Sequence, residues 1–200
     1  MSDDYKTSRH QQRQQQLKEQ VDAAVAKADQ DKGLLLVLTG NGKGKSTAGF
    51  GTVTRAVGHG YTAAVAQFIK GEWACGERNL LQQHGVPFAV MATGFTWDTQ
   101  DKSADIAAAT AVWQQAKAFL ADEKINLVLL DELTYMLSYH YLDTDEVLAA
   151  IAGRPAHQHV VVTGRNCHRR LIELADTVSD VQVVKHAFDA GIRAQQGVDW

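Results

Sequence analysis

Residues 34–47 read LLLVLTGNGKGKST, in which an apolar run feeds a glycine-rich loop and the loop feeds a helix-forming stretch. That order is what a phosphate-binding loop requires. Gly40, Gly42 and Gly44 remove side chains, so that the backbone N–H groups of the loop, Asn41 and Lys43 included, can turn inward around phosphate oxygens. A helix beginning near Lys45 adds the partial positive charge of its first amides. Lys45 supplies a full charge, and Ser46, followed by Thr47, supplies a hydroxyl for a divalent metal. The run departs from the general pattern G-x-x-x-x-G-K-[ST]. Thr39 stands at the first glycine position, and only three residues separate Gly40 from Gly44. A tighter loop holds a triphosphate in a different register. The dinucleotide pattern G-x-G-x-x-G fails, because Lys45 occupies its third glycine position.

A second apolar run, LVLLDE at 127–132, ends in two acids. At the carboxyl edge of a parallel sheet these acids face the crevice that receives ligands. Asp131 holds the usual metal position after such a strand, and Glu132 is the second candidate for metal or base. Their alternative role is to cap the next helix. Two arginines are placed near the same crevice. Arg165 follows a strand-like run in Thr163-Gly164-Arg165, and Arg55, on the helix after the loop, either reaches a phosphate or is solvated. Phe95 and Trp97 stand in a loop of small polar residues, 93–100, without helical or strand neighbours that would make a core stripe. Such a pair suits a large flat ligand or a partner surface, against burial on a neighbouring helix. His157, His159, Cys167 and His168 have no spacing that builds a metal set. His186 reads as structural, and neither G-x-S-x-G nor H-E-x-x-H occurs.

The elements that position these residues follow from the hydrophobic pattern. Strand-like runs fall at 34–39, 62–68, 87–92, 125–130 and 159–163, with a sixth at 181–184, and helical stretches at 46–57, 77–83, 102–121, 144–152 and 168–175. Near-continuous apolar strands alternating with helices predict a mostly parallel central sheet with helices on both faces. The tail after His186 is too polar and glycine-broken for a core element. Residues 1–32 differ from the rest: Gln-rich, without Gly or Pro, and with a thin apolar stripe of Leu17, Val21, Ala24, Val25 and Ala28. This is either a surface helix with a frayed start or an arm that lies on a partner subunit, since so thin a stripe is marginal alone. The organisation expected is an arm at 1–32 and one α/β domain at 33–200.

With 200 residues, 45% of them hydrophobic and 22% charged, the chain can bury a core without staples. Two cysteines exclude a disulfide scaffold and point to a reducing, cytoplasmic compartment. No apolar run approaches the about 20 residues needed to span a bilayer, and the N-terminus lacks the apolar region of a secretory signal. A net charge of −3 weighs against a nucleic-acid partner.

Taken in order, TGNGKGKST (39–47), RAVGHG (55–60), QFIKG (67–71), GERNLL (76–81), GFTW (94–97), LDELTY (130–135), TGR (163–165), ADTVS (175–179) and KHAFDAGIRAQQG (185–197) resemble the P-loop-type corrinoid adenosyltransferases. The resemblance covers almost all of 33–200, and the Gln-rich arm is similar too. The short loop is that family's own form. Two departures are mild: Ser46 stands where Thr is common, and the chain ends in Trp200 rather than Tyr or Phe.

The resemblance implies a P-loop NTPase (RecA-like) architecture with an N-terminal helical arm. It implies transfer of the 5′-deoxyadenosyl group of ATP to Co(I) of a reduced corrinoid, cobalamin or a precursor, with release of triphosphate. Cobalt is then the nucleophile, and ATP lies reversed over the loop. Gly40 through Thr47 would bind triphosphate. Ser46 and Glu132 would hold Mg²⁺ or Mn²⁺, with Asp131 nearby. Phe95 and Trp97 would displace the lower axial ligand of the corrinoid, which eases reduction of Co(II). The arm would cross the neighbouring active site of a homodimer, and a reduced flavin or flavoprotein would supply electrons. Two other readings share the loop and the acids: an ATP-hydrolysing switch or motor on nucleic acid, and a small-molecule kinase. Both break the β–γ bond, whereas the transferase releases triphosphate.

Overall fold

The computed structural model describes residues 2–69, 75–91 and 102–200. They divide into two compact units, one ending at Lys32 and one spanning Gly33–Trp200. The first is a single helix, α1 (Ser2–Lys27). Along it Leu17, Val21 and Val25 recur every four residues and share one face of the helix as a thin apolar stripe.

The second unit alternates strands and helices: β1 (Leu35–Thr39), α2 (Lys45–Gly58), β2 (Ala63–Gln67), α3 (Gly76–Gln83), β3 (Phe88–Val90), α4 (Lys102–Ala121), β4 (Leu127–Asp131), α5 (Leu133–Ser138), α6 (Thr144–Ala152), β5 (His159–Thr163), α7 (Arg169–Leu174) and β6 (Thr177–Asp180). The strands form one six-stranded sheet in the order β3-β2-β4-β5-β1-β6, and every pairing is parallel. This is the α/β arrangement expected of a P-loop fold, with the sheet wholly rather than mostly parallel.

Alternation along each strand splits the core in two. Leu127, Leu129, Val65 and Val161 point to one face, where Phe50, Val53 and Ala56 of α2 cover them. Val128, Leu130, Ala64, Ala66, Val160 and Val162 point to the other, under Ala109, Val112, Trp113 and Ala116 of α4. Both faces are therefore dry, which is why β2 and β4 carry no polar residue before their last position. Gly49 lets α2 approach closely. A Cβ there would stand 2.9 Å from Leu129 Cδ1 and 3.0 Å from Thr163 Cγ2.

Two elements differ from the pattern reading. The sixth strand is Thr177–Asp180, not the apolar run 181–184. It is an exposed edge strand held by backbone pairing to β1, so its side chains carry no hydrophobic signal. The valines after it lie outside the sheet, and Val184 is almost wholly exposed. The short helix α5 was hidden behind the acids of LVLLDE. Among the described residues no helix is long and apolar enough to cross a membrane.

Candidate active site

Because the strands are parallel, their carboxyl ends share one edge. The register aligns Leu38 with Thr163, Thr39 with Asp180, and Gln67 with Asp131. The loop after β1 therefore sits beside the acids after β4, the Thr-Gly-Arg turn after β5 and the segment after β6. A cavity of about 680 Å³ opens there, within the roughly 300–1,000 Å³ of small-molecule sites. Gly42, Lys43, Gly44, Lys45, Ser46 and Thr47 line it, with Glu132 and Arg165.

The loop begins and ends on left-handed glycines, Gly40 at φ +100° and Gly44 at φ +115°. Among the described residues nothing lies within 4 Å of the Gly44 Cβ position, so Gly44 is needed for its backbone angle and an open approach. Gly42, and Gly40 beyond its angle, are needed for close packing. A Cβ on Gly40 would lie 2.5 Å from the Val181 carbonyl, and one on Gly42 would lie 2.7 Å from the carbonyls of Val181 and Gln182. The segment after β6 packs on the outside of the loop. The Val181 N–H donates to the Thr39 carbonyl at 2.8 Å, and the Gly42 N–H donates to the Val181 carbonyl at 2.6 Å.

The N-cap of α2 is Gly44, which has no side chain to cap it, and the first turn carries no acid. Its leading residues line the cavity with the positive end of the helix. Lys45 is buried, and its ammonium donates to the Gly42 carbonyl at 2.6 Å. Burial above all, then the nearby Arg165 charge, lowers its pKa, while Glu132 and Asp180 oppose this.

The two acids of LVLLDE separate. Asp131 is fully buried behind the cavity wall. Its carboxylate accepts from the Thr163 hydroxyl at 2.7 Å and from Gln67 Nε2 at 3.3 Å, so three buried polar residues form one row across β5, β4 and β2. Glu132 has φ +61°, an angle that costs a non-glycine residue about 1–2 kcal/mol. Its N–H donates to the Thr163 hydroxyl at 2.9 Å, and its side chain reaches the cavity wall. The row thus turns the chain so that the first acid faces inward and the second faces the cavity.

Arg165 sits on a turn that only glycine can precede. Gly164 has φ +135°, and a Cβ there would meet Thr134 Oγ1 at 2.1 Å. The Thr134 hydroxyl donates to the Arg165 carbonyl at 2.6 Å, and Arg165 Nη1 donates to the Tyr135 hydroxyl at 3.1 Å. Burial raises the pKa of Tyr135, keeping it a phenol beside the guanidinium.

Several expectations change. Arg55 does not reach the phosphate loop. It is exposed in the last turn of α2, ten residues and therefore about 15 Å along the axis from Lys45. Gly40 and Asn41 belong to the loop but not to the cavity wall. Phe95 and Trp97 lie outside the described residues. Tyr135 and Ile69 join the wall, as do Cys75, Glu77 and Leu80 around the start of α3. Ile69 carries φ +64°, rare for a β-branched residue. The tail is no core element, as expected, yet His186, Ala194 and Gly197 to Trp200 line the cavity. Its glycine-broken polarity marks a loop but says nothing of where the loop lies. Among the described residues no three His, Cys, Asp or Glu cluster as a metal site.

The model of a family described as ATP:corrinoid adenosyltransferase BtuR/CobO/CobP matches residues 31–200. The chain belongs to that family. It is 60% identical over 192 residues to the corrinoid adenosyltransferase CobA of Salmonella typhimurium, covering 96% of this chain and 98% of the relative. It is 62% identical to the corrinoid adenosyltransferase of Escherichia coli K12 with the same coverage. To that of Pseudomonas aeruginosa it is 50% identical, over 98% of this chain and 97% of the relative. The chain is thus an ATP-using transferase acting on a corrinoid, and the cavity over the glycine-rich loop is the adenosyltransferase's candidate nucleotide site.

Proposed function

We propose that the cavity binds ATP with its triphosphate on Gly42–Thr47 and Arg165, and that the 5′ carbon of the ribose is left open to a corrinoid. The observation that carries this reading is the joint lining of one cavity by the uncapped start of α2, Lys45, Ser46, Glu132 and Arg165. The cobalt of a Co(I) corrinoid attacks C5′. A cobalt–carbon bond forms, the C5′–oxygen bond breaks, and the whole triphosphate departs with the electron pair. The reaction serves cobalamin biosynthesis and salvage.

The protein's part is electrostatic. The amides at the start of α2, Lys45 and Arg165 face the charge that grows on the leaving triphosphate. Ser46 and Glu132 offer one hydroxyl and one carboxylate on the same wall. This donor set would hold a hard divalent ion, Mg²⁺ or Mn²⁺. When bound, such an ion neutralises the triphosphate. Asp131, turned inward, positions the Glu132 backbone through Thr163. Phe95 and Trp97 approach the lower face of the corrinoid and remove its axial ligand.

We assign the arm at 1–32 to the neighbouring active site of a homodimer; the thin apolar stripe of Leu17, Val21 and Val25, too narrow to hold a helix alone, supports that role. A reduced flavin or flavoprotein supplies the electron, in the cytoplasm.

The test is anaerobic. The protein is mixed with ATP, Mg²⁺ and chemically reduced cob(I)alamin, and the absorbance spectrum and phosphate products are followed. A light-sensitive alkylated corrinoid with stoichiometric triphosphate is the expected result. Unchanged corrinoid with ADP and phosphate would overturn it in favour of an ATPase.

A further inference from the structure

The C-terminal residues fold into a small knot of their own. The Asp199 N–H donates to the Gln195 carbonyl at 2.8 Å, and the Gln195 N–H donates back to Asp199 Oδ2 at 2.7 Å. The Gly197 N–H donates to the Trp200 carbonyl at 2.8 Å, with Gly197 at φ +79°. The other carboxylate oxygen of Asp199 is ion-paired with Lys43, in the middle of the phosphate loop. Such a pair at the surface contributes little stability alone. Its geometry is the point: one carboxylate ties the knot to itself and to the loop, and the knot then presents Gly197 and Trp200 to the cavity. The Lys43 hydrogen bond, then the Gln195 amide, lowers the Asp199 pKa, so the clasp carries its charge at neutral pH.

We propose that the knot Gln195–Trp200 forms a substrate-binding wall of the nucleotide site, with Trp200 facing the purine of ATP and Asp199 the positioning residue that clasps the wall to Lys43. The proposal rests on the reading of the cavity as an ATP site. An indole offers a flat polarisable face to a base. Asp199 also restrains Lys43, so a triphosphate must share that ammonium with a carboxylate.

The two halves of ATP separate the roles. Binding of Mg²⁺-ATP and of Mg²⁺-tripolyphosphate, which lacks the base, is measured by calorimetry on the full-length protein and its variants. Trp200→Ala is expected to weaken ATP about tenfold and to leave tripolyphosphate unchanged, with Trp200→Phe restoring most of the loss. Asp199→Asn keeps an acceptor for Gln195 but releases Lys43. It is expected to weaken ATP, to leave tripolyphosphate equal or tighter, and to raise KM for ATP while kcat at saturation is retained.

Parallel weakening of both ligands in Trp200→Ala would overturn the proposal, because it would mean a disturbed loop. Unaltered ATP binding in both variants would overturn it too, as would a change confined to KM for the corrinoid. Wild-type protein that binds neither ligand would instead sink the phosphate-loop reading itself.

Discussion

Replacing single glycines of the phosphate loop by alanine separates two physical reasons for glycine within a few residues of chain. Gly40→Ala places a Cβ at φ +100°, 2.1 Å from Asp180 Oδ1, 2.5 Å from the Val181 carbonyl oxygen and 2.8 Å from the Val181 nitrogen. The side-chain contact can be relieved, but the two backbone contacts cannot, because Val181 is bonded to Thr39 and Gly42. The left-handed angle costs about 1–3 kcal/mol, and the overpacking about 1–3 kcal/mol more. Gly44→Ala, at φ +115°, meets nothing within 4 Å among the described residues, so only the angle cost of about 1–3 kcal/mol applies. Gly51→Ala, inside α2 and with nothing within 4 Å, is expected to stabilise by about 1 kcal/mol. At about 2–4 °C per kcal/mol for a chain of this size, Tm should fall most in Gly40→Ala, by roughly 4–24 °C. It should fall about half as far in Gly44→Ala, and rise by a few degrees in Gly51→Ala. Thermal and urea melts of the protein without ligand, followed by far-UV circular dichroism, give the ranking. A Gly40→Ala loss equal to or smaller than that of Gly44→Ala would refute the reasoning. The segment after β6 would then not press on the loop, and Gly40 would serve ligand approach alone.

Lys45→Ala removes the buried ammonium and one loop bond worth about 1 kcal/mol. The variant should fold, with kcat/KM for ATP reduced roughly 10²-fold or more; undiminished turnover would overturn the loop's role. Asp131→Ala strips Thr163 and Gln67 of a buried acceptor and is expected to cost about 2–4 kcal/mol in urea unfolding. Glu132→Gln, on the cavity wall, should leave the melt unchanged and depress metal-dependent turnover. Burial raises the Cys167 pKa from the usual 9.0 to about 11. The folded state therefore holds this proton more tightly than the unfolded state does, so the thiol's contribution to stability is complete below pH 9.0 and is lost as pH rises toward about 11. Alkylation of Cys167 at pH 9.0 should be slow in the native protein and fast once it is unfolded. Trp97→Ala should slow reaction from Co(II) plus reductant far more than reaction from prepared Co(I), and equal losses in the two assays would count against axial-ligand displacement.

The glycine-rich loop between strand and helix, the sheet and the pair of acids were legible in the sequence because each is a local signal. A run such as LLLVLT or LVLLD, apolar on both alternations, can be stable only between two covered faces, and a Gly-Lys-Ser after it needs no distant partner to be recognised. The helix 144–152 has the bounds its pattern gives, and the structure adds the reason it starts there: the Asp143 side chain accepts the Glu146 N–H at 2.8 Å.

What the tertiary structure alone decided is which of these residues face the same space. LVLLDE does not say which acid turns inward; the hydroxyl of Thr163, more than thirty residues away, decides it by bonding the Asp131 carboxylate and the Glu132 amide together. The pattern favoured Val181–Val184 as the sixth strand, because hydrophobic alternation reports burial. An edge strand such as β6 is held by backbone pairing and needs none. Arg55 lay close to the loop in number but far along a rigid helix. The C-terminal tail lay more than 140 residues away and yet lines the cavity, clasped to Lys43 by Asp199. Local chemistry is written in residue type and spacing. Convergence is set by how parallel strands bring remote turns to one edge, and no window of the sequence contains that information.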